Sequence, residues 1–135
     1  MGNNSVNAEQ EKINLLLQKF GIRFKGDDQL MVKGNNYDEG KVDIDANHPI
    51  FKTARNVFLK EVTSLQITPP AKSILRTKDF DIMASAKYGK GTVFVVGDPW
   101  IYNEYVDGRK LPSKYENYAA AKDLVKWLLS NTRRM

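Results

Sequence analysis

The chain has 135 residues, a formal net charge of +5 and no cysteine, and 41% of its residues are hydrophobic. This length is enough for one domain with its own core, and the lack of cysteine excludes disulfides, thiolate catalysis and thiolate metal sites. No apolar run approaches the roughly 20 residues that span a bilayer. Lysines and arginines are spread along the chain, whereas a nucleic-acid surface clusters them with aromatic residues. We therefore expect a single domain over residues 1–135 that binds neither membrane nor nucleic acid.

A first helix is predicted near the start of the chain. Apolar residues follow the i, i+3, i+4, i+7 spacing of one helical face at Ile13, Leu16, Leu17 and Phe20. Gly21 suits the left-handed residue that commonly ends a helix. The pattern predicts a helix from Ala8 to Phe20, with Asn7 and Gln10 as a capping box.

The middle of the chain alternates short apolar runs with turn residues, which is typical of β-strands. The predicted strand positions are 22–24, 42–44, 57–59, 62–67, 73–76, 80–86 and 92–96. The last three are so closely spaced that they favour antiparallel hairpins. Residues 50–54 are predicted to form one helical turn, and Pro69-Pro70 is a firm break.

A second helix is predicted from Lys114 to Ser130. Ser113 and Glu116 form an S-x-x-E capping box before it, and its apolar positions lie on one face. The order of helix, strands and closing helix favours an α/β fold class, with a mixed sheet flanked by two main helices.

The stretch 88–105, YGKGTVFVVGDPWIYNEY, is the strongest candidate for a functional site. Residues 92–96 are apolar and β-branched, as in a strand buried on both faces, and Gly97 ends the run. In α/β proteins a ligand crevice forms beyond the carboxyl ends of such strands. The candidate ligand-binding residues are Asp98, Trp100, Tyr102, Asn103, Glu104 and Tyr105.

Each of these residues also has a structural interpretation. The Asp98 carboxylate and the Trp100 ring suit sugar hydroxyls and a pyranose face, but Asp98 can instead cap the following turn while Trp100 fills the core. Asn103 and Glu104 suit a ligand or a divalent ion, or they bind the loop itself. Asp98 and Glu104 also invite comparison with a glycosidase acid–base pair, whose required separation one loop does not fix.

No catalytic residue, cofactor or dedicated metal site is predicted from the sequence. The one histidine, His48, precedes a proline and is interpreted as a turn residue or a hydrogen-bond donor to the backbone. Serine-hydrolase and phosphate-loop motifs are missing. We therefore expect the chain itself not to be an enzyme.

Several short stretches, spread over most of the chain, form a recognisable pattern. They are NNSVNAE (3–9), Asn14-Leu15-Leu16, FGIRF (20–24), His48-Pro49-Ile50-Phe51, GKGTVFVVGDPWIYNEY (89–105), Asn117, Ala120 and Trp127-Leu128-Leu129. Together they resemble a domain of the class I glutamine amidotransferase-like superfamily, in the form found after the catalytic (α/α)6 barrel of some family 105 glycoside hydrolases. Those enzymes are unsaturated rhamnogalacturonyl hydrolases, and related polysaccharide-utilisation proteins share the domain. The resemblance implies a truncated, flavodoxin-like architecture.

Two features separate this chain from an active amidotransferase. That chemistry needs a cysteine nucleophile and a histidine after a later strand, but the chain has no cysteine and carries Gly97 and Asp98 where the histidine is expected. Family members also begin with an apolar strand that is missing here. The resemblance therefore implies a non-catalytic accessory domain, a fragment of a longer chain, that supports a glycoside hydrolase domain or shapes substrate access.

Two other functions fit the same residues. One is a carbohydrate-binding module, and the other is a purely structural protein-interaction domain in which a neighbouring chain supplies the missing strand. The second follows from the tendency of exposed sheet edges to pair. The expected partners are the catalytic domain of the parent polypeptide, an oligosaccharide, or another chain in an edge-mediated oligomer. A secreted parent would place the domain outside the cytoplasm.

Overall fold

A computed structural model of the chain describes residues 2–6, 8–103 and 108–132. Its helices and strands are, in order, α1 (Gln10–Leu17), β1 (Ile22–Phe24), β2 (Lys41–Asp43), β3 (Asn56–Phe58), β4 (Leu65–Ile67), β5 (Lys72–Arg76), β6 (Asp81–Tyr88), β7 (Gly91–Val96) and α2 (Asn117–Thr132). Short 3₁₀ turns cover Gln18–Phe20, Tyr37–Gly40 and Pro99–Ile101. Strands and their turns therefore make up most of the chain between the two helices.

The strands form a curled antiparallel sheet, a half-barrel, with α2 as its one long helix. The main sheet has the order β1-β4-β6-β5, β7 also pairs with β6, and β2 pairs with β3 in a separate ribbon. Every pairing between described strands is antiparallel. The predicted α/β, flavodoxin-like fold with a mixed sheet flanked by two main helices is therefore wrong. Parallel neighbours need a crossover of about a dozen residues or more, whereas only residues 77–80 and 89–90 separate the last three strands.

The predicted hairpins at the end of the sheet are confirmed. β6 and β7 pair in regular register from Met83 opposite Val96 to Tyr88 opposite Gly91. β5 pairs with β6 through two register shifts. Residues 50–54, predicted to form a helical turn, contain no helix.

The first helix is shorter than predicted. α1 begins at Gln10, and the residue at its N-cap position, Glu9, makes no side-chain capping bond. The predicted cap, Asn7, lies outside the described residues. The predicted end is confirmed, because Gly21 has a φ of 78° and follows the 3₁₀ turn that ends at Phe20.

Contacts near β3, and not the predicted capping box, determine where α2 begins. The carboxylate of Glu116 accepts a hydrogen bond from the backbone N–H of Arg55. The N–H of Glu116 donates to Asn56 Oδ1 at 3.3 Å. Glu116 is thus engaged before the helix starts, and the predicted cap Ser113 lies in the preceding turn. Within the described ranges, no helix is long and apolar enough to cross a membrane.

The two faces of β7 pack into different apolar cores. Phe94 and Val96 belong to the larger core, which α2 covers. Val93 and Val95 belong to a second core that residues of α1 and β1 complete. Successive side chains of a strand point to opposite faces, so β7 is apolar on both. The predicted burial is confirmed at Val95 and Val96, whereas residues 92–94 are half-buried.

Candidate functional site

Asp98, the first of the predicted site residues, lies two residues after the end of β7 and is fully buried. Its Oδ2 accepts a hydrogen bond from the backbone N–H of Lys60 at 2.9 Å, and its Oδ1 has no partner in the described part of the chain. Burial raises the pKa of this carboxyl to about 7; the N–H groups of Lys60 and Trp100 oppose the shift, and Glu61 adds to it. The side chain therefore connects the end of β7 to the segment after β3 and is shielded from solvent.

Trp100 packs into the molecule beside Asp98. Its half-buried ring meets the Phe58 ring edge-on, with centroids 4.8 Å apart, in a small cluster that also contains Tyr115. Asp98 occupies the N-cap position of the 3₁₀ turn that begins at Pro99, but its side chain makes no capping bond. The turn is therefore held by the contacts of Asp98 and Trp100 with β3 and the segment after it.

The remaining predicted residues lie nearer the surface or outside the described ranges. Tyr102 is 42% exposed and lines a groove beside α2, while Asn103 is half-buried. Glu104 and Tyr105 lie outside the described residues. The structure thus brings Asp98 and Trp100 together below the surface, and ligand binding by the six residues stays a prediction. Over the described ranges, no group of three His, Asp or Glu side chains is arranged to hold a metal ion.

A different set of side chains covers the edges of the sheets, beginning with Asn14 of α1. Its Oδ1 accepts a hydrogen bond from the N–H of Phe24 at 2.8 Å, and its Nδ2 donates to the C=O of Phe24 at 2.9 Å. A carboxamide offers the same donor and acceptor as a peptide group. Asn14 therefore takes the place of the next strand's backbone at the outer edge of β1.

Asn117, the first residue of α2, does the same for β3. Its Oδ1 accepts a hydrogen bond from the N–H of Phe58 at 2.7 Å, and its Nδ2 donates to the C=O of Phe58 at 2.8 Å. The same Nδ2 also donates to the C=O of Trp100 at 3.1 Å. Because Asn117 is fully buried, this amide fixes α2, β3 and the 3₁₀ turn to one another.

The outer edge of β5 is blocked by an irregular backbone and by His48. A register shift in the pairing with β6 flanks Ile74, and His48 Nε2 lies 2.7 Å from the Ile74 C=O. His48 Nδ1 accepts the N–H groups of Ile50 and Phe51 at 3.1 and 3.0 Å, so Nε2 is the donor to Ile74. The prediction that His48 is a turn residue or a hydrogen-bond donor to the backbone is confirmed. Bulges of this kind prevent further strands from adding.

The outer edge of β7 has no such cover along most of its length. The N–H of Gly97 points inward to β6, and backbone groups of successive residues alternate sides. Thr92, Phe94 and Val96 therefore direct their backbone groups outward. The Val96 C=O accepts the N–H of Gly2 at 2.7 Å, but the described residues supply no hydrogen-bond partner for the backbone of Thr92 or Phe94.

The composition of β7 is that of an interior strand. Its register with β6 is regular over six residue pairs, and residues 91–96, GTVFVV, contain no charge and no proline. Natural edge strands usually carry a bulge, a charge or a proline that discourages pairing. Strands with two apolar faces are typical of sheet interiors. β7 therefore lies at the edge of the sheet, because among the described strands it pairs only with β6, but its sequence is that of a strand from a sheet interior.

The fold is shared with a solved structure, the mmIFT52 N-terminal domain, which belongs to an intraflagellar transport protein. The two have a TM-score of 0.66 and 22% sequence identity, and the match covers 87% of this chain. The chain spans 57% of the length of that neighbour. No protein-family model matches the sequence, and a search of curated proteins finds no match. At this level of identity the likeness establishes the fold.

This neighbour overturns the resemblance to glycoside hydrolase accessory domains and to amidotransferases. The predicted function as an accessory domain of a rhamnogalacturonan-degrading or other polysaccharide-utilisation protein is wrong, because the comparisons contain no link to carbohydrate. Residues 92–101 form the end of β7 and the turn after it. That local pattern does not determine whether the strand pairs in a mixed or an antiparallel sheet. The pattern alone therefore led to the wrong fold prediction.

Proposed function

We propose that the chain is a protein-interaction domain without enzymatic activity, and that it binds a partner by strand addition at the outer edge of β7. One observation supports this most: β7 is apolar on both faces, and no described residue bonds to the backbone of Thr92 or Phe94. At the edges of β1, β3 and β5, by contrast, side chains bind backbone groups of Phe24, Phe58 and Ile74. The fold likeness to a domain of an intraflagellar transport protein agrees with an interaction role.

The surroundings of β7 define the strand that fits beside it. On one face Phe94 packs near Trp127 of α2, with ring centroids 6.4 Å apart. On the other face Val93 packs against the second core. An added strand would extend both apolar surfaces, since its side chains alternate between the faces. We therefore expect partner segments of about five residues that are rich in β-branched and aromatic side chains.

Replacing Thr92 with proline tests this mode of binding. Thr92→Pro removes an outward N–H that the pairing with β6 does not use, and proline is tolerated on strand edges of this kind. Peptides of about eight residues, selected by phage display on the wild-type chain, serve as probes. We expect the variant to bind them about tenfold more weakly or worse, because it loses a main-chain hydrogen bond and gains a steric block. Isothermal titration calorimetry measures the difference.

Thr92→Val is the matched control, because it keeps the backbone N–H and replaces only the hydroxyl, which accepts a hydrogen bond from Lys87 Nζ, with a methyl group. Its affinity for the probes should equal that of the wild type. Equal binding by Thr92→Pro, or a failure to select any peptide that slows exchange of the Thr92 and Phe94 amides, would contradict the proposal. Sedimentation equilibrium of the same variants identifies a second copy as the partner, if wild type and Thr92→Val dimerise and Thr92→Pro does not.

A further inference from the structure

The outward flank of α2 carries an apolar stripe that is separate from the edge of β7. Tyr118, Val125 and Leu129 are 56%, 43% and 56% exposed. Their spacing of seven and four residues places them on one side of the helix. The stripe runs over about three turns, or roughly 16 Å.

A groove runs along this stripe. It has a volume of about 300 Å³ and is lined by Tyr102, Ala121, Lys122, Val125 and Lys126. Its walls are almost entirely apolar although two of its lining residues are lysines, since long side chains keep their stems against apolar surface. A second groove of about 500 Å³ begins at Tyr118 and includes Leu111, Tyr115 and Ala119. Apolar surface thus continues past the first turn of the helix.

The two charged residues that line the first groove are lysines, whereas the carboxylate of Glu116, in the second groove, is bound by the N–H of Arg55. Lys122 lies over the Tyr118 ring, with Nζ 4.9 Å from the centroid, and Lys126 lines the same groove. The one carboxylate of α2, Asp123, is buried and accepts hydrogen bonds from the backbone and hydroxyl of Thr53 at 2.7 and 3.0 Å. The exposed flank therefore presents apolar side chains bordered by lysines, without a neutralising carboxylate from the described part of the helix.

We propose that this flank of α2 docks an amphipathic helix of a partner protein, whose apolar face is bordered by glutamate or aspartate. A helix fits because a stripe spaced at seven and four residues matches the ridges and grooves of a second helix. Acidic borders fit because they would face Lys122 and Lys126, and complementary charge selects the partner and its orientation. The inference rests on the proposed role as a protein-interaction domain and assigns that role a second surface.

Three synthetic peptides of about 18 residues test the inference. The first places leucine on one helical face and glutamate beside it, the second replaces each glutamate with lysine, and the third scrambles the first. Calorimetry with the full chain should show that the glutamate peptide binds at least about tenfold more tightly than the other two. Added salt should reduce this preference. The double variant Lys122→Glu with Lys126→Glu should reverse it.

Matched variants locate the binding surface. Val125→Ser with Leu129→Ser should weaken binding of the glutamate peptide about tenfold or more. Leu15→Ser with Leu16→Ser serves as control, because these leucines are 66% and 56% exposed on α1, which packs on the second core while α2 packs on the larger one. Binding should be unchanged. Equal binding of the glutamate and scrambled peptides, or equal losses from the α1 and α2 variants, would overturn the inference. If strand peptides still bind β7 in that case, only the α2 surface is refuted; if neither class of peptide binds, the interaction role falls as well.

Discussion

Asn117→Ala is expected to lower the free energy of unfolding by about 4 kcal/mol. The substitution deletes three hydrogen bonds and leaves the N–H and C=O of Phe58 and the C=O of Trp100 without their partner. Asn117 is fully buried, so water cannot replace the amide without rearrangement. An unsatisfied buried backbone group costs about 1–3 kcal/mol. Urea unfolding of wild type and variant, followed by circular dichroism, gives the difference.

Two further variants separate the amide's hydrogen bonds from a general effect of losing asparagine. Asn131→Ala, also in α2, removes two hydrogen bonds near the exposed end of the helix, from Asn131 Nδ2 to the C=O of Trp127 at 2.9 Å and from Lys87 Nζ to Asn131 Oδ1 at 3.1 Å. It should cost less than about 1 kcal/mol. Asn117→Asp keeps an acceptor for the N–H of Phe58. It replaces the Nδ2 donor with a carboxylate oxygen, which then faces the C=O groups of Phe58 and Trp100. It should be at least as damaging as Asn117→Ala. Similar losses for Asn117→Ala and Asn131→Ala would show that the edge of β3 does not depend on this side chain.

Asp98→Asn is expected to remove most of a pH dependence that the wild type shows between acid and neutral solution. The native carboxyl has a pKa of about 7, because burial disfavours its charge, whereas the ordinary value is 3.8. Between these values the native state holds a proton that the unfolded chain has released. The free energy of unfolding therefore falls as pH rises from 3.8 to about 7. At about 1.4 kcal/mol per pH unit, the loss is on the order of 4 kcal/mol.

The asparagine variant keeps an acceptor for the Lys60 N–H and has no proton to lose. Compared with the wild type, it should gain stability as the buffer is changed from about pH 4 to about pH 7, and the difference should level off above that. Asp79→Asn, which neutralises an exposed carboxylate, is the control and should follow the wild type. Urea unfolding at several pH values measures the difference. A constant gap between Asp98→Asn and wild type at all pH values would mean that Asp98 is already ionised in the folded protein at acid pH.

The strands and hairpins of the main sheet were accessible from the sequence because they depend on local patterns. Alternating apolar residues and the short turns at 77–80 and 89–90 were enough to predict β5, β6 and β7 as hairpins. The assembly of the whole sheet was predicted wrongly. The direction in which β1 and β4 pair depends on contacts between residues far apart in the chain, such as Ile22 opposite Ile67.

The edge-covering side chains were missed because a single asparagine carries little information. Asn14 lies within the apolar run 13–17 of α1. A polar residue with moderate helix propensity at that position is the only sequence sign that its side chain is buried. Asn117 stands out in the sequence only as part of a family resemblance. The partners of both residues, Phe24 and Phe58, are 10 and 59 positions away, and neither distance suggests a contact. By contrast, the sequence of residues 92–96 predicts a strand, but it does not show that this strand lies at the edge of the sheet.

Amide hydrogen exchange by NMR on the isolated chain tests the central claim most directly. The claim is that the described residues leave the outward N–H of Phe94 on β7 without a partner, whereas Asn14 binds the outward N–H of Phe24 on β1. The expected result is fast exchange at Phe94, slow exchange at Val93 and Val95, whose amides point to β6, and slow exchange at Phe24, which Asn14 binds. Exchange at Phe94 as slow as at Val95 would show that the edge is already occupied and would contradict strand addition there.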